Sequence, residues 1–148
     1  MSKTAKIILG CLGGIAIFFG VMITIVFLVI GNESKREEIK FGKDRIKTIY
    51  TVVGERKMSG TSVSINNGIH EKKYTYKNGE VSIGDVNKYI KELREDGFLV
   101  TKTFVDGNGQ IGASSKDNGK IILIDIELDK LEETIITYKK GKGTITKY

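Results

Sequence analysis

The most prominent pattern in the chain is an unbroken run of apolar residues near its beginning. Ile7–Ile30 contains no charged side chain, and as a helix it would extend about 36 Å at ~1.5 Å per residue. That length covers the ~30 Å hydrocarbon core of a bilayer, and the run is longer than the roughly 7–15 apolar residues of a cleaved signal peptide. The pattern predicts a retained transmembrane helix with the lipid bilayer as its partner. A cleaved leader is the alternative.

After this run, the first apolar residues recur at helical spacing. Ile46, Ile49, Tyr50 and Val53 follow the i, i+3, i+4, i+7 pattern, and Gly54 comes directly after them. This spacing predicts a short amphipathic helix. Because these residues are rich in β-branched side chains, a strand is the alternative.

A second helix is indicated by the residues at its two ends. Ser82 is placed to cap its N-terminus, Asp85 follows three positions later as the acid of a capping box, and Gly97 can end the helix in a left-handed conformation. We expect a buried stripe on this helix, formed by Val86, Tyr89, Ile90 and Leu93.

The remaining segments alternate apolar and polar residues, as strands do. Asn67-Gly68 separates two such segments and is a strong hairpin signal. Four more follow the second helix, at Phe98–Val105, Gln110–Ser115, Lys120–Leu128 and Glu133–Lys140. The order predicts an α+β fold, in which one or two helices pack on one face of a small antiparallel sheet with Lys120–Leu128 as a central strand.

The patterns divide the chain into three parts. Residues 1–31 are predicted to form a tail and the transmembrane helix, 32–43 a charged juxtamembrane linker, and 44–148 one α+β domain that folds without the anchor. Its predicted core is Val86, Tyr89, Ile90, Leu93, Phe98, Ile122, Ile124, Ile126 and Ile136.

Residue content narrows the chemistry of the domain. Cys11 is the only cysteine and lies in the apolar run, so the domain can form no disulfide and offers no thiolate. His70 is the only histidine, so no second histidine completes a metal shell with it. Any serine nucleophile would need His70 as its base, and no nucleophile-elbow motif surrounds a serine. Gly107–Gly112 matches GxGxxG but precedes a strand instead of a helix, so a hairpin turn is favoured. We expect no catalytic residue, cofactor or metal ion.

Charge bears on the orientation of the predicted membrane helix. The net charge is +6, and Lys3 and Lys6 precede the run without an acidic residue, as in a signal anchor. Lys and Arg are also frequent after it, where Glu37 and Glu38 are interspersed. We expect the domain to lie outside the cell membrane; a regulatory domain facing the cytoplasm is the alternative.

Small residues within the same run bear on its association. Gly10 and Gly14 form a GxxxG pair. Such a pair lets two transmembrane helices approach closely. It would therefore permit a transmembrane homodimer.

The segment Asp85–Phe98 contains the pattern Tyr-x-x-x-Leu-x-x-x-Gly-Phe and leads into strands that include Ala113-Ser-Ser and Lys120–Leu128. Over about residues 69–140 the chain resembles small exported or membrane-anchored domains of unknown function from low-GC Gram-positive bacteria. The resemblance implies a helix followed by a β-meander and supports export. It carries no catalytic residue.

Aromatic and basic residues alternate in two predicted strands that we expect at sheet edges. An exposed edge of this kind could bind an extended peptide or an anionic polymer, and no specific nucleic acid is expected. The candidate partner surface consists of Lys72, Lys73, Tyr74, Tyr76, Lys77, Tyr138, Lys139 and Lys140. The sequence thus predicts a single-pass membrane protein with an extracytoplasmic interaction module. A membrane-tethered enzyme that uses only carboxylates and hydroxyls is the alternative.

Overall fold

The computed structural model describes residues 30–129 and 133–145. Residues 30–34 are helical. The elements that follow are β1 (Glu38–Phe41), β2 (Asp44–Lys47), α1 (Ile49–Val53), β3 (Met58–Asn66), β4 (Ile69–Tyr76), α2 (Ile83–Glu95), β5 (Leu99–Val105), β6 (Asn108–Ser114), β7 (Lys120–Leu128) and β8 (Thr134–Lys142).

Six of the strands form one antiparallel sheet in the order β3-β4-β8-β7-β6-β5. β1 and β2 form a separate antiparallel pair. The predicted α+β architecture with an antiparallel sheet is confirmed, and β7 lies inside the sheet between β6 and β8 as predicted. Within the described residues, β3 and β5 are the two edges of the large sheet.

The helix α2 is built as its sequence predicts. The Ser82 hydroxyl accepts the Asp85 N–H at 3.1 Å, and the Asp85 carboxylate accepts the Ser82 N–H at 3.1 Å, which completes the capping box. Gly97 has a φ of 92° just beyond the helix. Val86, Tyr89 and Leu93 are buried, whereas Ile90 is only half-buried against the core. These contacts fix one face of α2 on the sheet.

The first helix begins later than its spacing predicts. α1 starts at Ile49, because Thr48 has an extended backbone and forms its N-cap. Ile46 lies instead in β2, where it pairs with Ile39 of β1 and is buried. Gly54 ends the helix with a φ of 80°, and its N–H donates to the Tyr50 carbonyl at 2.8 Å. Pairing between strands therefore overrides the helical period at the first predicted position.

The segment 32–43, predicted as a linker, contributes to the folded domain. It contains β1, whose Ile39 is buried, and Ser34 in the preceding helical residues is buried too. The core lies between one face of the large sheet and a layer formed by α1, α2 and the β1–β2 pair. The opposite face of the sheet carries half-buried Ile121 and Leu123 on β7.

The prediction of a single-pass transmembrane protein with a signal anchor is corrected for the part of the chain that the structure describes. No helix in residues 30–129 or 133–145 is long and apolar enough to cross a membrane. The predicted span Ile7–Ile30 lies outside the described residues except at Ile30, which packs against the core of the domain. Gly10 and Gly14 also lie outside them. The extracytoplasmic location of the domain stays a prediction.

Candidate functional site

The two strands predicted as sheet edges are interior strands, so this prediction is wrong. β4, which contains Lys72–Tyr76, lies between β3 and β8, and β8, which contains Tyr138–Lys142, lies between β4 and β7. The reason is topological. The last strand of the domain inserts between β4 and β7, so that His70 faces Lys140 and Tyr76 faces Thr134.

The tyrosines of the predicted partner surface belong to the core. Tyr74, Tyr76 and Tyr138 are 1%, 2% and 0% exposed. The Tyr138 and Tyr89 hydroxyls are 3.0 Å apart, and the Tyr89 hydroxyl donates to the Lys47 carbonyl at 2.7 Å. Burial raises the pKa of Tyr138 well above its usual value. These rings stabilise the fold and are not available to stack on a ligand.

Lys72 is bound to the helical residues that precede β1. Its ammonium lies 2.6 Å from the Glu33 carboxylate, which also accepts the Tyr74 hydroxyl at 2.6 Å and the Arg36 guanidinium at 2.6 Å. Burial acts to raise the pKa of Glu33, but Lys72, Tyr74 and Arg36 together outweigh it and lower that pKa. The positive charge of Lys72 is therefore paired with the Glu33 carboxylate within the domain.

Lys140 is the most deeply buried cation of the predicted surface. Its ammonium contacts the carboxylates of Asp44 at 2.6 Å and Asp117 at 2.5 Å, and it donates to the Phe41 carbonyl at 2.7 Å. Three acceptors satisfy the three N–H groups of the ammonium. Asp44 further accepts the Lys116 N–H at 2.8 Å. This cluster fixes the β1–β2 pair to the large sheet.

The other lysines of the predicted surface are scattered. Lys139 lies on the opposite face of β8 and pairs with Asp125 at 3.0 Å. Lys73 is half-buried on β4, and Lys77 is exposed just after that strand. The eight predicted residues thus form no continuous surface. Successive side chains of a strand point to opposite faces of the sheet, and both strands are interior.

The longest uncharged edge of the sheet is β3, which the prediction of the partner surface missed. Val63 and Ile65 are 70% and 68% exposed, and Ser62 and Ser64 between them are exposed as well. No charged residue occurs from Ser59 to Asn66, and the chain contains no proline. The other edge, β5, carries the exposed Lys102 near its middle. β3 therefore lacks the lysine or proline with which edge strands commonly block pairing.

Local geometry explains why β3 extends outward as a regular strand. It pairs with β4 through the turn at Asn67 and Gly68, whose φ values of 50° and 77° are those of a tight hairpin turn. The register is regular from Gly60 to Asn66, after an irregularity between Met58 and Gly60. The signal that could have identified this edge is the run Thr61–Asn66 itself, which alternates apolar residues with serine and carries no charge.

The face of the sheet away from the helices contains a groove of about 700 Å³. Side chains of β5, β6 and β7 and residues 144–145 line it. Two of its polar side chains are bonded within the domain: Thr101 donates to Gln110 at 2.8 Å, and the Gln110 amide donates to Asp125 at 2.6 Å. Lys139 completes this row by its contact with Asp125. The groove therefore cannot use Thr101 and Gln110 to orient a substrate without breaking this row.

The alternative prediction, a membrane-tethered enzyme, would use carboxyl groups for catalysis. Burial acts to raise the pKa of Asp44 and of Asp85, but hydrogen bonds from the Lys116 N–H and from Arg56, respectively, outweigh it together with other donors. Both pKa values are lowered, as is that of Glu33, and none of the three carboxyls resembles a protonated general acid. Within residues 30–129 and 133–145, no group of His, Cys, Asp and Glu side chains is placed to hold a metal ion.

Known proteins supply no template for this arrangement. No family model matches the chain, and neither a curated protein nor a solved structure matches it significantly. Function is therefore inferred from burial, charge and strand order alone.

Proposed function

We propose that the protein is an interaction module that binds an extended polypeptide by strand addition at β3. The observation that carries the proposal is the combination of an edge position, two highly exposed apolar side chains and the absence of charge from Ser59 to Asn66. An edge strand presents backbone N–H and C=O groups along its outer side. An added strand pairs with these groups and gains affinity from main-chain hydrogen bonds.

The side chains of β3 complement such a partner on one face. Val63 and Ile65 point to the same face, because residues two apart in a strand do. Neighbouring side chains on an added strand would cover them, and full burial of a valine or isoleucine contributes roughly 1.5–3 kcal/mol. Ser62 and Ser64 point to the other face and tolerate polar neighbours. The partner best suited to β3 is a strand with apolar residues at alternate positions.

A polypeptide fits the structure better than an anionic polymer. Lys72 and Lys140, the basic residues of the predicted partner surface on the core face, are paired with Glu33 and with Asp44 and Asp117. Lys139 is paired with Asp125. A polyanion would have to compete with these carboxylates, whereas a strand partner needs no charge.

The proposal is tested by selecting peptides on the protein. The full chain is immobilised, and a phage-displayed library of random nonapeptides, matched to the 9 residues of β3, is enriched on it. Bound peptides are then compared on Val63→Lys, which introduces a charge into the edge. The control is Val105→Lys at the end of β5, a valine of similar exposure at 65%.

We expect the selected peptides to alternate apolar and polar residues. Val63→Lys should weaken their binding at least about ten-fold, since a lysine must be desolvated or displaced to admit a strand, and Val105→Lys should not. Peptides that bind all three proteins equally would contradict the proposal. So would a selection that enriches only acidic sequences whose binding disappears at high salt.

A further inference from the structure

We infer that the strand that β3 accepts is β3 of a second copy of this chain. This inference rests on the proposed strand addition and identifies its partner. Two identical strands can pair antiparallel about a two-fold axis, so that one patch serves both copies. The residues of β3 are arranged so that this pairing covers exposed apolar side chains and brings no like charges together.

The complementarity is greatest when the axis passes through Ser64. Val63 of each copy then lies opposite Ile65 of the other, so the two most exposed large apolar side chains among the described residues cover each other on one face. On the other face, Ser64 lies opposite its own copy, and Ser62 lies opposite Asn66. Hydroxyl and amide groups at these positions can form hydrogen bonds across the pair.

An axis through Val63 would be less favourable. Ile65 would then lie opposite Thr61, and only Val63 would meet another aliphatic side chain. An axis through Ser64 therefore covers more apolar surface, which favours this register, although it pairs five residues of each Gly60–Asn66 segment instead of seven.

Charge and chain geometry support the same partner. A copy of β3 brings no charged residue between Ser59 and Asn66, so no like charges meet across the axis. The irregularity after Met58 and the turn at Asn67-Gly68 bound the regular segment at its two ends. Both copies therefore offer straight segments of the same length, and pairing them would join two six-stranded sheets into one.

Cysteine crosslinking of the full chain tests both the partner and the register. Cys11, the only native cysteine, is replaced by alanine, and Ser64→Cys is introduced. Directly opposed residues of antiparallel strands have Cα atoms about 4.5–5.5 Å apart, which is within disulfide range. The matched control is Ser62→Cys, which the same register places about 13 Å from its copy.

We expect mild oxidation to give a Ser64→Cys dimer in at least about ten-fold excess over the Ser62→Cys dimer. Adding Val63→Lys should abolish the excess, whereas adding Val105→Lys should retain it. Circular dichroism of each reduced variant shows whether the fold is kept. Equal crosslinking of the two cysteines, or a Ser64→Cys chain that stays monomeric, overturns the inference. If monomeric protein still selects peptides that require Val63, strand addition stands and only the second copy is rejected.

Discussion

The ammonium of Lys140 lies 2.6 Å from the carboxylate of Asp44, and their side chains are only 5% and 4% exposed. This ion pair connects β8, an interior strand of the large sheet, to β2 of the separate pair. Asp117, in the turn between β6 and β7, contacts the same ammonium. A buried charge of this kind is tolerated because each partner is hydrogen-bonded.

Removal of the cation should therefore destabilise the domain strongly. Lys140→Met leaves Asp44 buried without its counter-ion, and we expect the free energy of unfolding to fall by about 3–5 kcal/mol. Urea denaturation, monitored by circular dichroism, measures this change. Lys91→Met, at a lysine 80% exposed in a 4.0 Å pair, should change stability by less than about 0.5 kcal/mol. Equal effects of the two substitutions would show that the Lys140 cluster contributes little.

The same cluster predicts how stability depends on pH. Burial acts to raise the pKa of Asp44, but the Lys116 N–H and Lys140 outweigh it; at Asp117 the hydrogen bond from Lys140 is the main cause, and both pKa values fall below the usual 3.8. A pKa that is lower in the folded state adds stability that is complete above the unfolded value. This stability is lost as the pH falls through the folded value.

The free energy of unfolding should therefore fall below about pH 4. The substitution Asp44→Asn should reduce this dependence of stability on pH. The measurement is the free energy of unfolding at intervals from neutral pH into acid for the wild type, for Asp44→Asn and for Glu95→Gln. Glu95 is 61% exposed, so its variant should follow the wild type. An Asp44→Asn curve parallel to the wild type would argue against coupling between Asp44 ionisation and folding.

The buried face of α2 gives a prediction about packing. Leu93 is fully buried, at 0% exposure, so Leu93→Ala should lower the free energy of unfolding by about 2–5 kcal/mol through lost burial and a residual cavity. Leu99→Ala on β5 removes the same atoms from a side chain that is 37% exposed and should cost clearly less. Denaturation curves of both variants decide the comparison. A smaller loss for Leu93 would place the stabilising core elsewhere.

The hydroxyl of Tyr89 gives a prediction about buried hydrogen bonds. It donates to the Lys47 carbonyl and lies 3.0 Å from the Tyr138 hydroxyl, and Tyr89→Phe removes both contacts while keeping the ring. Because the remaining polar groups are buried, we expect a loss of about 1–3 kcal/mol. The thermal unfolding transition of Tyr89→Phe, compared with that of the wild type, measures this loss of stability. An unchanged unfolding temperature would mean that water replaces the missing hydroxyl.

The features that sequence could predict are local ones. The capping box of Ser82 and Asp85 and the hairpin turn of Asn67-Gly68 each depend on residues a few positions apart, and both occur as predicted. The core residues Ile122, Ile124 and Ile126 were predictable because their period of two places them on one face of a strand.

The candidate site depends on strand order, which no local pattern specifies. Alternation at Tyr74 and Tyr76 looks the same in an edge strand and in an interior strand. The insertion of β8 beside β4, which brings His70 opposite Lys140, makes β4 an interior strand, and the two tyrosines lie on its core face. The transmembrane prediction followed from the length and apolarity of the run Ile7–Ile30, whereas Ile30 at its end packs on the domain core. β3 contains no charged or aromatic residue, so it lacks the sequence features that commonly indicate a binding surface.

Amide hydrogen exchange with and without a selected peptide tests most directly whether β3 accepts a polypeptide strand. Measured on dilute full-length protein, exchange at Gly60–Asn66 should slow at least about ten-fold when the peptide is saturating, because outward N–H groups gain acceptors. Exchange at Leu99–Val105 on the opposite edge should not change, and Val63→Lys should show no protection at β3. Protection confined to the groove around Gln110 and Leu123, with β3 unchanged, would contradict the account.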